Sequence, residues 1–400
     1  MTRKARYSFE GRSGQAEWSF DGSYLGLVPD AGPPLSFSVP EFTGIAGDDY
    51  TIALTVAGAA SGGKLVLSHL GADGPTLLDG LRRAWLPARA QVLRLSGSGE
   101  GRPFSGQVAG LEGRPPEPFR GLLFEEVLVV ARDGFDLDPL FLALFGSVEH
   151  DESTYTVRVR QWPGEQVVFS KMAGQTDEFA RWLQTNRAEL AEESAAILAA
   201  GAPTLPLGPR GMLAGMWLPG RLMELEAMEA VCPGVIEAFR GAWLASLPRH
   251  DEGEHLLGWA AGGSTWVGCT RGSGGGAQDG ATAGTAPGAG AEGHLWLLCG
   301  KNGVWFLEAL SIEDRATYCF TGGEEVPALV SRLLCAPQFS REALYSPLAE
   351  LTGESADLAI AAQALDFLVE LRRRFKDRVI HQTTEGWKRD VGRLGDDARI

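Results

Sequence analysis

The segment richest in potentially reactive side chains is Arg249–His255, which reads RHDEGEH. Two histidines and three carboxylates within seven residues are the side-chain types that bind transition metals. However, His250 and His255 are five residues apart with a glycine between them, so they would not share a helix face as residues four apart do. The spacing therefore favours a solvated acidic loop over a metal site.

Two further groups of polar residues could do chemistry. Ser68 precedes His69, but no carboxylate stands at the spacing of a known serine triad, so a solvent-facing strand residue is the favoured interpretation. Asp133, Asp136 and Asp138 could bind a cation. Their segment lacks the bidentate glutamate of a calcium loop, and we expect a polar turn there.

The sequence carries no catalytic signature. It has no G-x-S-x-G, no H-E-x-x-H and no G-x-G-x-x-G ahead of a helix, which are the motifs of serine hydrolases, zinc proteases and dinucleotide sites. Its five cysteines are an odd number without a C-x-x-C pair, which indicates neither a zinc site nor a disulfide framework. We therefore expect a protein that is not an enzyme and that needs no metal or cofactor.

Charge and apolar content limit the partners. The formal net charge of −15 disfavours nucleic acid and, for the same reason, anionic lipid, because proteins that bind phosphates normally carry a basic patch. No run approaches the ~18 apolar residues of a membrane span, and Met1–Arg6 leads into a strand pattern, not an apolar signal segment. Together with the unpaired cysteines, this predicts a cytoplasmic protein that is not an integral membrane protein.

Basic side chains concentrate in one run near the C-terminus. The run consists of Arg372, Arg373, Arg374, Lys376 and Arg378. Positive charge is stabilising at the C-terminus of a helix, so the run has a structural explanation. The alternative is a contact with a polyanion or a partner. A smaller basic set opens the chain and consists of Arg3, Lys4, Arg6 and Arg12.

The elements that position these residues are organised around a repeated unit. The unit is two strands followed by an amphipathic helix, which begins near Pro75 in the first copy and near Thr176 in the second. The strands are Tyr50–Val56 and Lys64–Leu70, then Tyr155–Trp162 and Gln166–Met172. When Ser68 is superposed on Ser170, strands, turn and helix agree in order, which favours a duplication.

The pattern predicts an α+β protein of several domains. We expect one module over residues 4–95, a second over 103–200, a helix plus a diverged third copy over 210–345, and C-terminal helices over 346–394. A Pro/Gly break at Gly201–Pro209 marks the clearest boundary. Gly272–Gly293 lacks apolar bulk and is predicted to be a disordered loop. Whether 210–345 is a true third module stays open, because its turn spacing does not match the first two.

Short strands closed by one helix resemble the pleckstrin-homology-like (PH-like) fold, in tandem proteins of the bacterial type. In that family a bent seven-stranded antiparallel barrel is capped by a C-terminal helix. The residues that carry the resemblance are Tyr7–Trp85, with Leu77 and Leu81 on the helix face, and Phe104–Leu190, with Phe179, Trp182 and Leu183 on the helix face. The resemblance implies modules that bind lipids, peptides or proteins.

One departure from the family bears on the ligand. Lipid-binding members use a basic cluster across the first hairpin, whereas here Arg6 and Arg12 are accompanied by Glu10, Glu17 and Asp21. We therefore expect a non-enzymatic cytoplasmic scaffold that recognises a protein or peptide, including by strand addition at an open sheet edge.

Two alternatives remain open. One is a peripheral membrane binder, whose attachment would weaken with salt. The other is an enzyme or nucleic-acid-associated factor with its site in the C-terminal half, near Glu224–Glu229, His250–His255 or Arg372–Arg378.

Overall fold

The computed structural model describes residues 3–48, 50–57, 63–97, 99–110, 115–132, 137–271, 293–311, 316–338 and 340–397. The chain has the predicted mixed α+β character, with antiparallel strands in two seven-stranded sheets and one six-stranded sheet. The segment predicted to be a disordered loop lies outside the described residues over 272–292. None of the described helices is long and apolar enough to cross a membrane.

The first sheet is followed by one helix. Its strands are β1 (Arg3–Phe9), β2 (Arg12–Phe20), β3 (Tyr24–Pro29), β4 (Leu35–Ser38), β5 (Phe42–Gly47), β6 (Thr51–Val56) and β7 (Lys64–Ser68), and the helix is α1 (Asp73–Val92). The strands lie in the order β4-β3-β2-β1-β7-β6-β5. Alternate strand residues are buried, and α1 covers them with Leu77, Leu81 and Trp85, as the helical spacing predicts. Pro87 lies inside α1 and does not end it.

The second sheet repeats the first. Its strands are β8 (Arg102–Ala109), β9 (Glu117–Leu123), β10 (Val127–Arg132), β11 (Leu137–Phe141), β12 (Phe145–Asp151), β13 (Thr156–Gln161) and β14 (Gln166–Ser170), followed by helix α2 (Thr176–Gly201). Their order, β11-β10-β9-β8-β14-β13-β12, is that of the first sheet strand for strand. Phe179 and Leu183 are buried, whereas Trp182 is only half-buried, with the guanidinium of Arg102 3.5 Å from its ring.

The remaining residues form a third sheet among short helices. The strands are β15 (Met223–Glu224), β16 (Ser264–Arg271), β17 (Gly293–Lys301), β18 (Val304–Ala309), β19 (Ala316–Thr321) and β20 (Phe375–Ile380). The helices are α3 (Leu207–Ala214), α4 (Leu225–Val231), α5 (Val235–Ala238), α6 (His250–Trp259), α7 (Val326–Leu334), α8 (Glu342–Tyr345), α9 (Ala356–Ala364), α10 (Asp366–Arg374) and α11 (Thr384–Asp397). The strands pair in sequence order, from β15 to β20, so this sheet does not repeat the order of the other two.

The structure corrects two local predictions in this region. His250–His255, expected to lie in a solvated acidic loop, is part of helix α6, which buries Leu256 and Leu257. Phe375–Ile380, within the segment predicted to be helical, is strand β20, which pairs with β19. The strand was not predicted because Lys376–Arg378 are all charged. An edge strand that is exposed on both faces shows no alternation of apolar and polar residues.

Candidate functional site

Two equivalent strands stand at the ends of the two repeated sheets. β5 ends the first sheet and β12 ends the second, and within the described part of the chain each pairs with one neighbouring strand only. β5 has the sequence FTGIAG, with Phe42 and Ile45 buried and its other residues exposed or half-buried. It carries no charged side chain. Such a strand presents unpaired backbone groups with none of the charges that usually protect a sheet edge.

Each capping helix donates a side-chain hydrogen bond to the first carbonyl of its edge strand. In the first module Trp85 Nε1 donates to the carbonyl of Phe42 at 2.7 Å. In the second, Arg187 Nε donates to the carbonyl of Phe145 at 3.0 Å. Trp85 and Arg187 stand seventeen residues after Ser68 and Ser170, respectively, so the alignment found in the sequence holds in three dimensions.

The second edge strand has additional contacts. Arg187 also donates through Nη2 to the carbonyl of Gly215, at 2.9 Å, and so joins β12 to the segment that follows α3. His150 Nε2 lies 3.4 Å from a carboxylate oxygen of Asp177 in the first turn of α2. β12 carries Glu149 and ends in Asp151, so charges and its own helix protect this edge.

Acidic residues flank the open edge strand. Asp48, just after β5, accepts hydrogen bonds from the backbone N–H groups of Tyr50 (2.9 Å) and Thr51 (2.8 Å), which lower its pKa and keep it ionised. Glu41, just before β5, accepts a hydrogen bond from Ser38 Oγ at 2.8 Å. An uncharged strand therefore lies between two carboxylates.

In the turn after the second edge strand, an aspartate again accepts hydrogen bonds from the residues that follow it. Asp151 accepts hydrogen bonds from the side chains and backbone N–H groups of Ser153 and Thr154, which lower its pKa to about 2. Exposed tyrosines follow both turns, Tyr50 at 79% and Tyr155 at 64% exposure.

The predicted basic run divides between two elements. Arg372, Arg373 and Arg374 end α10, whereas Lys376 and Arg378 lie on β20. Arg372 Nη2 donates to the carbonyl of Ser346 at 2.8 Å, and burial lowers its pKa. Arg378 lies over the ring of Tyr345 at 3.9 Å, and Lys376 is exposed.

Two of these arginines form ion pairs with nearby carboxylates. Arg373 and Arg374 both bond to Glu370, one turn earlier on α10, and lower its pKa. Arg374 also pairs with Glu325 at 2.6 Å. These contacts agree with the structural explanation given for charge at a helix end, while contact with a polyanion stays a prediction.

The other predicted candidates lie apart from one another. His69 is exposed, with Nδ1 3.2 Å from Ser68 Oγ. Arg132 Nε pairs with Asp138 at 2.7 Å, and Asp133 and Asp136 lie outside the described residues.

Most of the polar candidates of the third region have local structural roles. Glu229 accepts the N–H groups of Gly234 and Ile236, which lower its pKa. His250 Nε2 lies 3.2 Å from Asp251 Oδ1 at the surface. Within the described residues no three His, Cys, Asp or Glu side chains are grouped to hold a metal.

The sequence analysis missed a buried polar network around His381. Its Nδ1 lies 3.3 Å from Glu252 Oε1, and its Nε2 lies 2.9 Å from Thr317 Oγ1 and 3.4 Å from Glu308 Oε2. Trp387 Nε1 donates to the same Thr317 hydroxyl at 2.8 Å. No sequence signal marked the network, because its members come from α6, β18, β19 and the segment around α11.

The network has the donor and acceptor types of a proton relay, but it is closed to substrates. Thr317 and Glu308 have no exposed surface, so the hydroxyl that a base at His381 could activate cannot meet a substrate. We assign the network to holding β18, β19 and α11 together. The buried thiols are equally poor nucleophiles, since burial raises the pKa of Cys299 to about 12 and that of Cys269 further.

A surface pocket of about 240 Å³ lies between β20 and α11. Its charged lining consists of Asp377, Arg378, Arg389, Asp390 and Arg393. Arg389 Nε lies 3.2 Å from Asp390 Oδ1. Because its lining carries charges of both signs, this pocket favours no single class of ligand.

Comparison with known proteins identifies no family. No family model and no curated protein matches the chain. Among solved structures, the apo activated truncation of Vav1 is 16% identical over 32% of this chain and 41% of that chain, with a TM-score of 0.22. A Vav1 structure described for the structural role of its PH and C1 domains is 15% identical over 32% and 42%, with a TM-score of 0.22. The chain thus spans less than half of each, and the likeness carries no conclusion here.

Proposed function

We propose that the chain is a binding protein with two PH-like modules, over residues 4–95 and 103–200, and that the first binds an extended segment of a partner protein along β5. The proposal of two modules rests on the shared strand order and the shared helix-to-edge hydrogen bond. The assignment of the binding role rests on one observation, the uncharged and exposed edge strand β5.

The backbone of β5 offers hydrogen bonds to an added strand. Asp48 N donates to Thr51 O at 3.0 Å, which makes these two residues a hydrogen-bonded pair of the antiparallel ladder. Because such pairs alternate along a ladder, the N–H and C=O groups of Ile45 and Gly47 point away from β6. An extended peptide that pairs with these groups would add a strand to the sheet.

Charge indicates the kind of segment that β5 binds. Glu41 and Asp48 lie at its two ends, and the whole chain has a net charge of −15. A segment with basic residues at its ends and small or apolar residues between them therefore complements β5. Acidic segments would meet like charges at both ends.

The test uses peptides selected from a library of random ten-residue sequences and measures their affinity by fluorescence anisotropy. We expect the selected peptides to be basic and Ala46→Lys to weaken their binding about tenfold or more, because it places a repelling charge on an exposed position of β5. Thr55→Lys, which puts the same charge on the neighbouring β6, is the matched control and should bind nearly as the wild type does.

Hydrogen exchange supplies an independent readout. Bound peptide should slow exchange of the Ile45 and Gly47 amides, while the Ala46 amide, already paired with Ala53, changes little. If no basic peptide is selected, or if the peptides bind Ala46→Lys as well as the wild type, β5 is not the binding site.

A further inference from the structure

A cluster of one arginine and two tryptophans lies where the second module meets the third sheet. The guanidinium of Arg221, just before β15, is 5.7 Å from the ring of Trp162, which follows β13. The rings of Trp162 and Trp266, the latter on β16, are 6.0 Å apart. All three side chains are half-buried, so each keeps part of its surface in contact with solvent.

Two donors of this cluster are buried without acceptors. Among the described residues, neither Arg221 Nε nor Trp266 Nε1 has a hydrogen-bond partner. Buried donors of native proteins are nearly always paired, and an unpaired one costs about 1–3 kcal/mol, more when it is charged. Two such donors around one aromatic ring indicate that an acceptor belongs there.

Arg221 also lacks a counter-ion among the described residues. No described carboxylate forms an ion pair with it, and burial lowers its pKa, with a further contribution from the positive charge of Arg187. The nearby thiol of Cys335 cannot neutralise it, because burial raises the pKa of Cys335 well above its usual value. Arg187 itself bonds to neutral backbone carbonyls. Two neighbouring cations are therefore held by neutral groups in an acidic protein.

Arg271 is the last residue of β16, the strand that also carries Trp266, and it shows the usual arrangement for a partly buried arginine. Its guanidinium bonds to Glu193, with Nε 2.7 Å from Oε2, and to Glu126. Burial would lower the pKa of Arg271, but these carboxylates outweigh it and raise the pKa. The absence of any such carboxylate at Arg221 is thus a local feature and does not reflect a general shortage of acidic residues.

We propose that Arg221, with Trp266 Nε1 as a second donor, binds a phosphate-type oxyanion at the junction of the second module and the third sheet. The ligand is inorganic phosphate or the phosphate group of a small metabolite. The planar guanidinium of an arginine can donate two parallel hydrogen bonds to two oxygens of one phosphate. The negative charge of the phosphate would also offset the positive charge of Arg187. The site is separate from β5 and does not depend on peptide binding there.

Thermal unfolding tests the site, with phosphate replaced by chloride at equal ionic strength. We expect saturating inorganic phosphate to raise the Tm of the full chain by about 2 °C, because a ligand of the folded state stabilises it. Titration of the protein with phosphate should also change its tryptophan fluorescence, since Trp162 and Trp266 lie at the site. Glycerol phosphate in a parallel arm tells whether an esterified phosphate binds better than the free ion.

Arg221→Met removes the charge at similar volume and should abolish both responses. Arg181→Met, on the exposed face of α2, is the matched control and should keep them. If Arg221→Met does not fold, Arg221→Lys replaces it. This variant should weaken phosphate binding about tenfold, because lysine cannot donate two parallel hydrogen bonds to the phosphate. A wild-type Tm and fluorescence that do not respond to phosphate, or responses that persist at full strength in the Arg221 variant, would overturn the proposal.

Discussion

The two repeated modules share one strand order and differ at the edge formed by β5 in the first and β12 in the second. In both, seven strands lie in the same order and the capping helix donates one side-chain hydrogen bond to the first carbonyl of the edge strand. β5 is uncharged and exposed, whereas β12 carries charged residues and is held by Arg187 and Asp177 of its helix. The same strand order thus accommodates two different edge strands.

The surroundings of the second module explain its closed edge. All six residues of β10 are buried, and Arg187 joins β12 to Gly215 beyond the module. Arg271 of β16 bonds to Glu193 and Glu126 of the second module. The second module is therefore joined to the third sheet and its helices, while β5 of the first module is an end strand beside β6.

Trp85→Ala should have the largest effect, since it breaks the helix-to-edge bond of the first module. Trp85 is 2% exposed and lies on the core face of α1. We expect a loss of about 3–5 kcal/mol in the free energy of unfolding, from the cavity and the lost donor to Phe42. Denaturant unfolding followed by far-UV circular dichroism measures it, and a loss below about 1 kcal/mol would show that this residue does not hold the module together.

Arg187→Met breaks the equivalent bond of the second module and should cost less. The variant leaves the carbonyls of Phe145 and Gly215 without their donor, which we expect to cost about 2 kcal/mol. Relief of the repulsion with Arg221 offsets part of this loss. The amides of β12 should exchange faster in the variant, whereas those of β5 should not. Equal acceleration at both edges would contradict the view that the two edges are held independently.

Asp151→Asn should have the smallest effect and only in acid. The folded-state pKa of Asp151 is lowered from 3.8 to about 2, so its stabilising effect is present above pH 3.8 and is lost as the pH falls towards 2. Over that interval the Tm of the wild type should fall more steeply than that of the variant. Parallel Tm curves would show that the turn after β12 does not depend on the Asp151 charge.

The repeat was accessible from the sequence because it depends on local periodicity. Alternation identified the strands, and the superposition of Ser68 on Ser170 aligned the two capping helices. The structure then shows that Trp85 and Arg187 occupy equivalent positions on these helices. The same method missed β20 and α6. β20 shows no alternation at an exposed edge, and α6 begins with HDEG, whose charged residues and glycine also suit a loop.

By itself the sequence determined which segments form strands and helices in the repeated modules, and that there are two copies, because these follow from the spacing of apolar residues along the chain. Only the tertiary structure decided which strand ends each sheet, that β12 is covered while β5 is not, and that His381 and Arg221 meet residues far away in the sequence. The physical reason is that exposure and charge compensation are properties of groups brought together from distant segments. The spacing of side chains along the sequence does not indicate exposure or charge compensation.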